Sequence, residues 1–166
     1  ASATTAATSF TLDVDALAQA QTVSSAQLVT GQPVGSGTLT LQLGTWSGSG
    51  ASFTPAVTGP VEVTVLATDT VADIAAKINA AGAGVVATAF FDGAQDRLVL
   101  RASDTGTAAG FRMQVADDDA GLPNDEAGLS RLAFDPQSGA FGMAQAGNPV
   151  QFGQNAQARI NGLAVS

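Results

Sequence analysis

No cysteine and no histidine occur anywhere in the 166-residue chain. The first absence excludes disulfides and thiolate metal sites, and it leaves the redox compartment open. The second removes the commonest metal ligand and the usual proton shuttle at neutral pH, and with them the standard nucleophile–histidine triad. Charge is scarce, at 12% of residues, and basic charge is scarcest: six Lys and Arg stand against fourteen Asp and Glu, for a net charge of -8. Such a chain repels nucleic-acid phosphates and anionic membrane surfaces, so neither is expected as a partner. No apolar run approaches the ~20 residues of a membrane span, and the first residues lack the basic and apolar regions of a secretory leader.

Alanine, glycine, threonine and serine fill the space that these residues leave. The 45% apolar fraction is inflated by alanine, so an aliphatic core of modest size is expected. A chain of this length makes one or two small domains and buries roughly 70% of its extended surface. It begins Ala1-Ser2-Ala3 without methionine and stops on Ser166 inside a strand-like pattern, and it reads as a piece of something longer.

The clearest local structure lies at residues 69–101. Thr70 caps a helix, and Asp73 three residues on reaches back to it, a capping box with Asp in place of Glu or Gln. Val71, Ile74, Ile78 and Ala81 form one apolar stripe at helical spacing, and Gly82 and Gly84 end it. Val85 to Phe91 and a shorter return strand from Arg97 to Arg101 then flank the five-residue turn Asp92 to Asp96.

Upstream, Phe10-Thr11-Leu12-Asp13-Val14-Asp15 alternates and reads as a half-buried strand, as do Thr38 to Leu43 and Val61 to Val65, which pair antiparallel. Residues 44–60 form a loop or wide hairpin carrying the only tryptophan, Trp46. Phe111 to Val115 adds a further strand. Beyond it come an acidic loop from Asp117 to Glu126, a helical turn over Gly128 to Phe134 ended by Pro136, and an exposed loop over 137–149. Asn161-Gly162 between apolar alternations predicts a type I′ hairpin.

Alternation on one face belongs to antiparallel sheet with one side covered. The predicted class is therefore α+β: mainly antiparallel sheet, six strands, with one main amphipathic helix packed on it and an irregular, loop-rich C-terminal part. The divisions expected are 1–36, an opening strand and connection shared with a neighbouring head domain; 37–116, the α+β core; 117–155, a loop-rich extension; and 156–166, the start of the next hairpin with its Ile-Asn motif, cut short.

Leu17-Ala18-Gln19-Ala20-Gln21, Gly37-Thr38-Leu39, Asp69 to Ile74 leading to Ile78-Asn79-Ala80-Ala81, Gly84-Val85-Val86-Ala87, Arg97 to Leu100 and Thr105-Gly106 form an ordered series. Together they resemble the N-terminal half of the flagellar filament cap family, hook-associated protein 2. Ala158-Arg159-Ile160-Asn161-Gly162 is similar to the short Ile-Asn motif of flagellar hook-associated proteins and flagellins. Residues 44–60 and 117–150 depart from the pattern, and the family's terminal helical legs are missing. The resemblance implies a head-domain fragment of an extracellular protein, exported by the flagellar secretion system, that forms a homo-oligomeric ring at the filament tip. The fragment alone would be monomeric. Flagellin would be its partner, with a host surface or mucin as a further contact. Neither a cofactor nor catalysis is implied. The alternative is an adhesin or carbohydrate-binding β module of another exported protein.

Each sharper chemical reading meets a plainer one. Asp117 to Asp119 with Asp125 and Glu126 offer calcium-type oxygen ligands, but their spacing does not fit an EF-hand loop, and a solvated acidic loop explains them. Asp13/Asp15 and Asp92/Asp96 invite comparison with glycosidase acid pairs, yet they sit on the solvent face of a strand and around a turn. Gly35-Ser36-Gly37 and Gly48-Ser49-Gly50 lack the strand–loop–helix setting and the Gly-Lys-Ser/Thr of a phosphate loop. Lys77 is expected in solvent. Trp46 is a contact residue for a partner or glycan, or a plug at the core edge. Phe134, Phe141 and Phe152 are expected to pin loops to the body. No catalytic, cofactor-binding or metal residue is therefore assigned.

Overall fold

A computed structural model describes residues 9–118 and 126–165. Their elements run β1 (Leu12–Ala16), β2 (Thr22–Ser24), β3 (Gly37–Ser47), β4 (Ser52–Pro55), β5 (Val61–Val65), α1 (Val71–Ala81), β6 (Val85–Phe91), β7 (Asp96–Ala102), β8 (Gly110–Asp117), β9 (Val150–Gln151), β10 (Gln157–Ile160) and β11 (Leu163–Val165), with short 3-10 turns between some of them. The class is α+β, as the alternation predicts. The strands do not form one sheet, however, and fall into three, all with antiparallel pairing.

β3 is the spine of the first. Its residues 37–41 pair with β5, its residues 44–47 pair with β4 on the same edge, and β8 runs along its other edge from Gly37 to Gly44. The burial alternation changes phase along this strand. Gly37, Leu39 and Leu41 are buried at its start, and Gly44 and Trp46 at its end. Since alternate side chains point to opposite faces and the register is continuous, β3 feeds one face of the core with its first half and the opposite face with its second. Gly44 sits at the change: a Cβ there would lie 2.3 Å from the Thr54 carbonyl oxygen and 2.5 Å from the Phe53 ring.

The second sheet has the order β6-β7-β2-β9. One of its faces carries Ala87, Leu100 and Val23 in a single cross-strand row, with Val85, Leu98 and Ala102 beside them, all buried. α1 covers this face and also reaches β5, so it bridges the two sheets. The capping box is present: Thr70 Oγ1 accepts from the Asp73 N–H, and Asp73 accepts from the Thr70 N–H. Gly82 closes the helix in the left-handed conformation with φ 63°. The buried stripe is Val71, Ile74, Ala75 and Ile78, so Ala75 takes the place expected of Ala81, which is exposed. β7 is as long as β6, against the shorter return strand expected.

Two corrections concern the core. It is not purely aliphatic: Trp46, Phe53, Phe111, Phe134 and Phe152 form a connected aromatic cluster, with Trp46 4.7 Å from Phe53 and 6.0 Å from Phe134 between ring centroids. The segment 137–149 is not a purely exposed loop, because Met143 is fully buried and its N–H donates to the Ala133 carbonyl at 2.7 Å. Phe134 makes a two-bond bridge to Met113 on the free edge of β8, one of several ties that hold the C-terminal segment. Gln21, fully buried, joins the sheets: its amide nitrogen donates to the Phe111 carbonyl and its amide oxygen accepts from the Phe111 N–H.

The third sheet, β1-β10-β11, stands apart from this core. Its Asn-Gly turn has φ 50° at Asn161 and 83° at Gly162, as a type I′ hairpin requires. The strand expected to be half-buried, Phe10 to Asp15, is exposed along nearly its whole length, because it pairs with β10 and does not lie on the core.

Candidate functional site

The residues weighed as reactive groups are dispersed, and several have structural partners. Asp13 and Asp15 lie on β1, and Asp15 accepts from Arg159 Nε at 3.0 Å on the surface. Asp92 organises the β6–β7 turn. Its carboxylate accepts from the N–H groups of Gln95 and Ala94, from Gln27 and from Arg97. Those donors, the Gln95 N–H foremost, hold its pKa well below the ordinary carboxylate range. Asp96 exchanges backbone hydrogen bonds with Leu28. No two of these carboxylates face each other across a cleft.

Lys77 is not free in solvent as expected, since it pairs with Asp69 and donates to the Thr64 carbonyl at 3.3 Å. Asp117 accepts from the Ser130 N–H at 2.8 Å and so holds the 3-10 turn Gly128–Leu132. Glu126 accepts from Gln145. Asp118 donates its N–H to the Ser36 carbonyl at 3.0 Å, and Asp119 and Asp125, the remaining members of the calcium reading, lie outside the described residues. Among the described residues, no three acidic, histidine or cysteine side chains come together as a metal site.

The two glycine runs serve packing and turning. Gly35 lets the turn at Gly128–Leu132 approach, since a Cβ there would lie 2.6 Å from the Leu129 nitrogen. Gly48 to Gly50 makes the β3–β4 turn. Of the two readings of Trp46, the structure selects the core: it is buried, and its Nε1 donates to the Phe111 carbonyl at 2.8 Å. Phe134 and Phe152 pack against it, so these two do pin their loops.

What the surface offers is contact area. On β1-β10-β11 the register places Leu12, Ile160 and Leu163 in one cross-strand row and Val14, Ala158 and Val165 in the next. Both rows point to the same face, and its five large members are between 40% and 74% exposed. Asp13 and Arg159 pair on the opposite, polar face. A second open face belongs to β6-β7-β2-β9 on the side away from α1, where Val86 lies opposite Arg101 and Phe90 opposite Arg97. An open trough of about 760 Å³ runs there between Phe90 and β9 with the preceding Pro149, lined also by Val99 and Thr22. The edge of β6 is blunted by Asn79, whose side-chain amide both donates to and accepts from the outward backbone groups of Ala87, at 2.8 Å each.

Sequence reading missed the apolar face of the outer sheet because alternation alone does not say whether the apolar side of a strand is covered. The available signal was the Asn-Gly hairpin, which needs a partner strand, and the Phe10–Asp15 alternation supplies one.

The sequence model of the flagellin hook IN motif matches residues 38–104 and leaves the Ala158 to Gly162 run outside it. No curated protein sequence matches the chain. Among solved structures, the D2-D3 domains of the Escherichia coli flagellar cap protein FliD align over 94% of this chain and 71% of that one, with 27% identity and a TM-score of 0.72. The longer D1-D2-D3 structure from the same organism gives 25% identity and a TM-score of 0.72, and this chain spans 39% of its length. FliD (HAP2) of Pseudomonas aeruginosa PAO1 aligns over 100% of this chain and 69% of that one, at 27% identity and a TM-score of 0.68. The chain is thus FliD-like, with a flagellin hook IN motif at its centre and a fold similar to that of flagellar cap proteins.

Proposed function

We propose that the chain is a structural module from the head of a flagellar filament cap, working by shape and contact and not by covalent chemistry. The observation that carries this reading is the fold likeness to flagellar cap proteins over 94% to 100% of the chain, with the hook IN motif inside it. In a protein of the relatives' extent, the module sits in the extracellular cap at the filament tip, where copies associate into a ring and promote insertion of arriving flagellin. Export through the flagellar channel in unfolded form suits a chain that has no cysteines to cross-link. Two exposed apolar faces support a role in contact: the Leu12/Ile160/Leu163 face and the Val86/Phe90 face.

Multi-angle light scattering on this chain and on a full-length protein carrying it tests the division of labour. The chain alone is expected to be monomeric and the full-length protein a ring. Deletion of residues 12–165 from the full-length gene is expected to abolish motility and release unassembled flagellin into the medium. Normal filaments in that deletion strain would refute the cap reading.

A further inference from the structure

Basic charge is scarce in this chain, and the fold engages nearly all of it. Lys77, Arg97, Arg112 and Arg159 stand beside carboxylates, and Arg131 donates to the Gly128 carbonyl. Arg101 is exposed and, alone of the six cations, has neither an ion pair nor a side-chain hydrogen bond among the described residues. Its neighbours on β7, Leu100 and Ala102, are buried on the face that α1 covers, so Arg101 belongs to the opposite, open face of β6-β7-β2-β9.

The register gives Arg101 its surroundings. Val86, Arg101, Thr22 and Gln151 form one row across the four strands. Thr88, Val99 and Ser24 form the next row, and Phe90 and Arg97 the one after. Neighbours within such a row lie about 5 Å apart, and successive rows on one face lie about 7 Å apart. Thr22, Gln151, Val99 and Phe90 all line the trough of about 760 Å³, so Arg101 stands at its end. Of the lining residues only Asp92 is acidic, and its carboxylate is filled by Arg97, Gln27 and the N–H groups of Ala94 and Gln95. In a chain of net charge -8, this face presents an unpaired cation and a trough with no unoccupied acid.

The chemistry of an occupant follows from charge and spacing. A guanidinium pairs fork to fork with one carboxylate, whereas a polyanion would meet the repulsion of the whole chain with a single unpaired cation to hold it. Val99, one row from Arg101, and Phe90 beyond it call for apolar groups. An extended polypeptide repeats its same-side residues at the same interval of about 7 Å, so an acidic side chain and an apolar one two residues away match Arg101 and Val99 together.

We propose that this face of β6-β7-β2-β9 docks an extended acidic peptide segment, with its carboxylate on Arg101 and an apolar side chain two residues away on Val99 and Phe90. The proposal rests on the reading of this face as a contact surface and names the chemistry of the partner. Ring assembly by the full-length protein is a separate measurement, so either reading can fail without the other.

NMR titration of the isotope-labelled chain with the capped peptide acetyl-Leu-Thr-Glu-Thr-Leu-amide tests it; a leucine two residues to either side of the acid serves either strand direction. Saturable shifts are expected at the amides of Phe90, Val99 and Arg101. At low ionic strength the affinity should exceed that of the Gln-for-Glu peptide by about threefold or more, the margin of a partly exposed ion pair, and added salt should shrink that margin. Arg101→Gln, at an exposed position outside the core, should erase the margin. Arg101→Glu should reverse it, so that the Lys-for-Glu peptide binds better than the Glu peptide. Phe90→Ala, also at an exposed position, should weaken the Glu and Gln peptides alike. Sodium glucuronate is the saccharide probe. Absence of saturable shifts with the peptide, equal binding of the Glu and Gln peptides, an undiminished margin in Arg101→Gln, or shifts with glucuronate alone would overturn the proposal.

Discussion

The two halves of the core are built from opposite kinds of contact. In the helix-and-hairpin half, α1, β6 and β7 follow one another within residues 71–102, and the buried side chains are aliphatic. In the aromatic half, Trp46 on β3, Phe53 on β4, Phe111 on β8, and Phe134 and Phe152 from irregular segments are brought together from across more than 100 residues. The first half closes short loops, and its order is already written in a cap, a periodic stripe and a turn. The second closes longer loops, so its contacts carry the larger loop-closure entropy.

This contrast can be broken by experiment. The largest effect is expected from Ile78→Asp, which places an unpaired charge at a fully buried position under α1. The cost is comparable with the whole stability of ~5–15 kcal/mol of a domain, so cooperative thermal unfolding should disappear. An unchanged melting curve would mean that the helix is not docked. Phe134→Ala comes next, at about 3–5 kcal/mol. Because Phe134 also bridges to Met113 through its backbone, hydrogen exchange should show the loss concentrated in residues 128–152, with α1 still protected. Equal loss of protection in α1 would make the two halves one cooperative unit.

A smaller effect, about 1 kcal/mol, is expected from Thr70→Ala, which removes the side-chain half of the capping box while Asp73 keeps its own contact. Chemical denaturation resolves it as a shifted midpoint with an unchanged slope. The smallest effect is pH-dependent. The pKa of Asp92 in the folded state lies below its ordinary value because the Gln95 N–H and further donors stabilise the carboxylate. Its contribution is therefore present above the ordinary carboxylate value of about 3.9 and is lost as pH falls from there toward the lowered value. Asp92→Asn should flatten the acid limb of the stability curve below about pH 4 and leave its shape unchanged at neutral pH.

How much was legible in the sequence divides along the same line. The Thr70–Asp73 cap, the Ile74/Ile78 stripe, the pairing of residues 38–41 with 61–65 and the Asn161-Gly162 turn are all present as read, because each depends on residues near one another in the chain or on a strict period. The phase change at Gly44 was not legible. Thr38 to Leu43 alternates cleanly, and nothing local says that the next buried residue is Trp46 on the other face. Nor was the burial of Met143, in a stretch whose Gly, Ala and Gln suggest exposure, since its turn packs against the Gly128–Leu132 turn and its N–H bonds to the Ala133 carbonyl. Among the candidate contact residues, the apolar identity of Leu12, Ile160 and Leu163 is plain, but their shared face follows only from the β1-β10-β11 register.

By itself, then, the sequence determined the local elements and the chemical temper of the protein. Without cysteine or histidine, the chain has no disulfide, no thiolate metal site and no histidine-based triad. Tertiary structure alone decided which alternating strands are covered, that three sheets form where one was expected, and that Asp135 is buried with one oxygen unmet. The physical reason is that propensity and periodicity act over a few residues. Burial depends on which distant segment reaches a face first, and that choice is made by the whole chain.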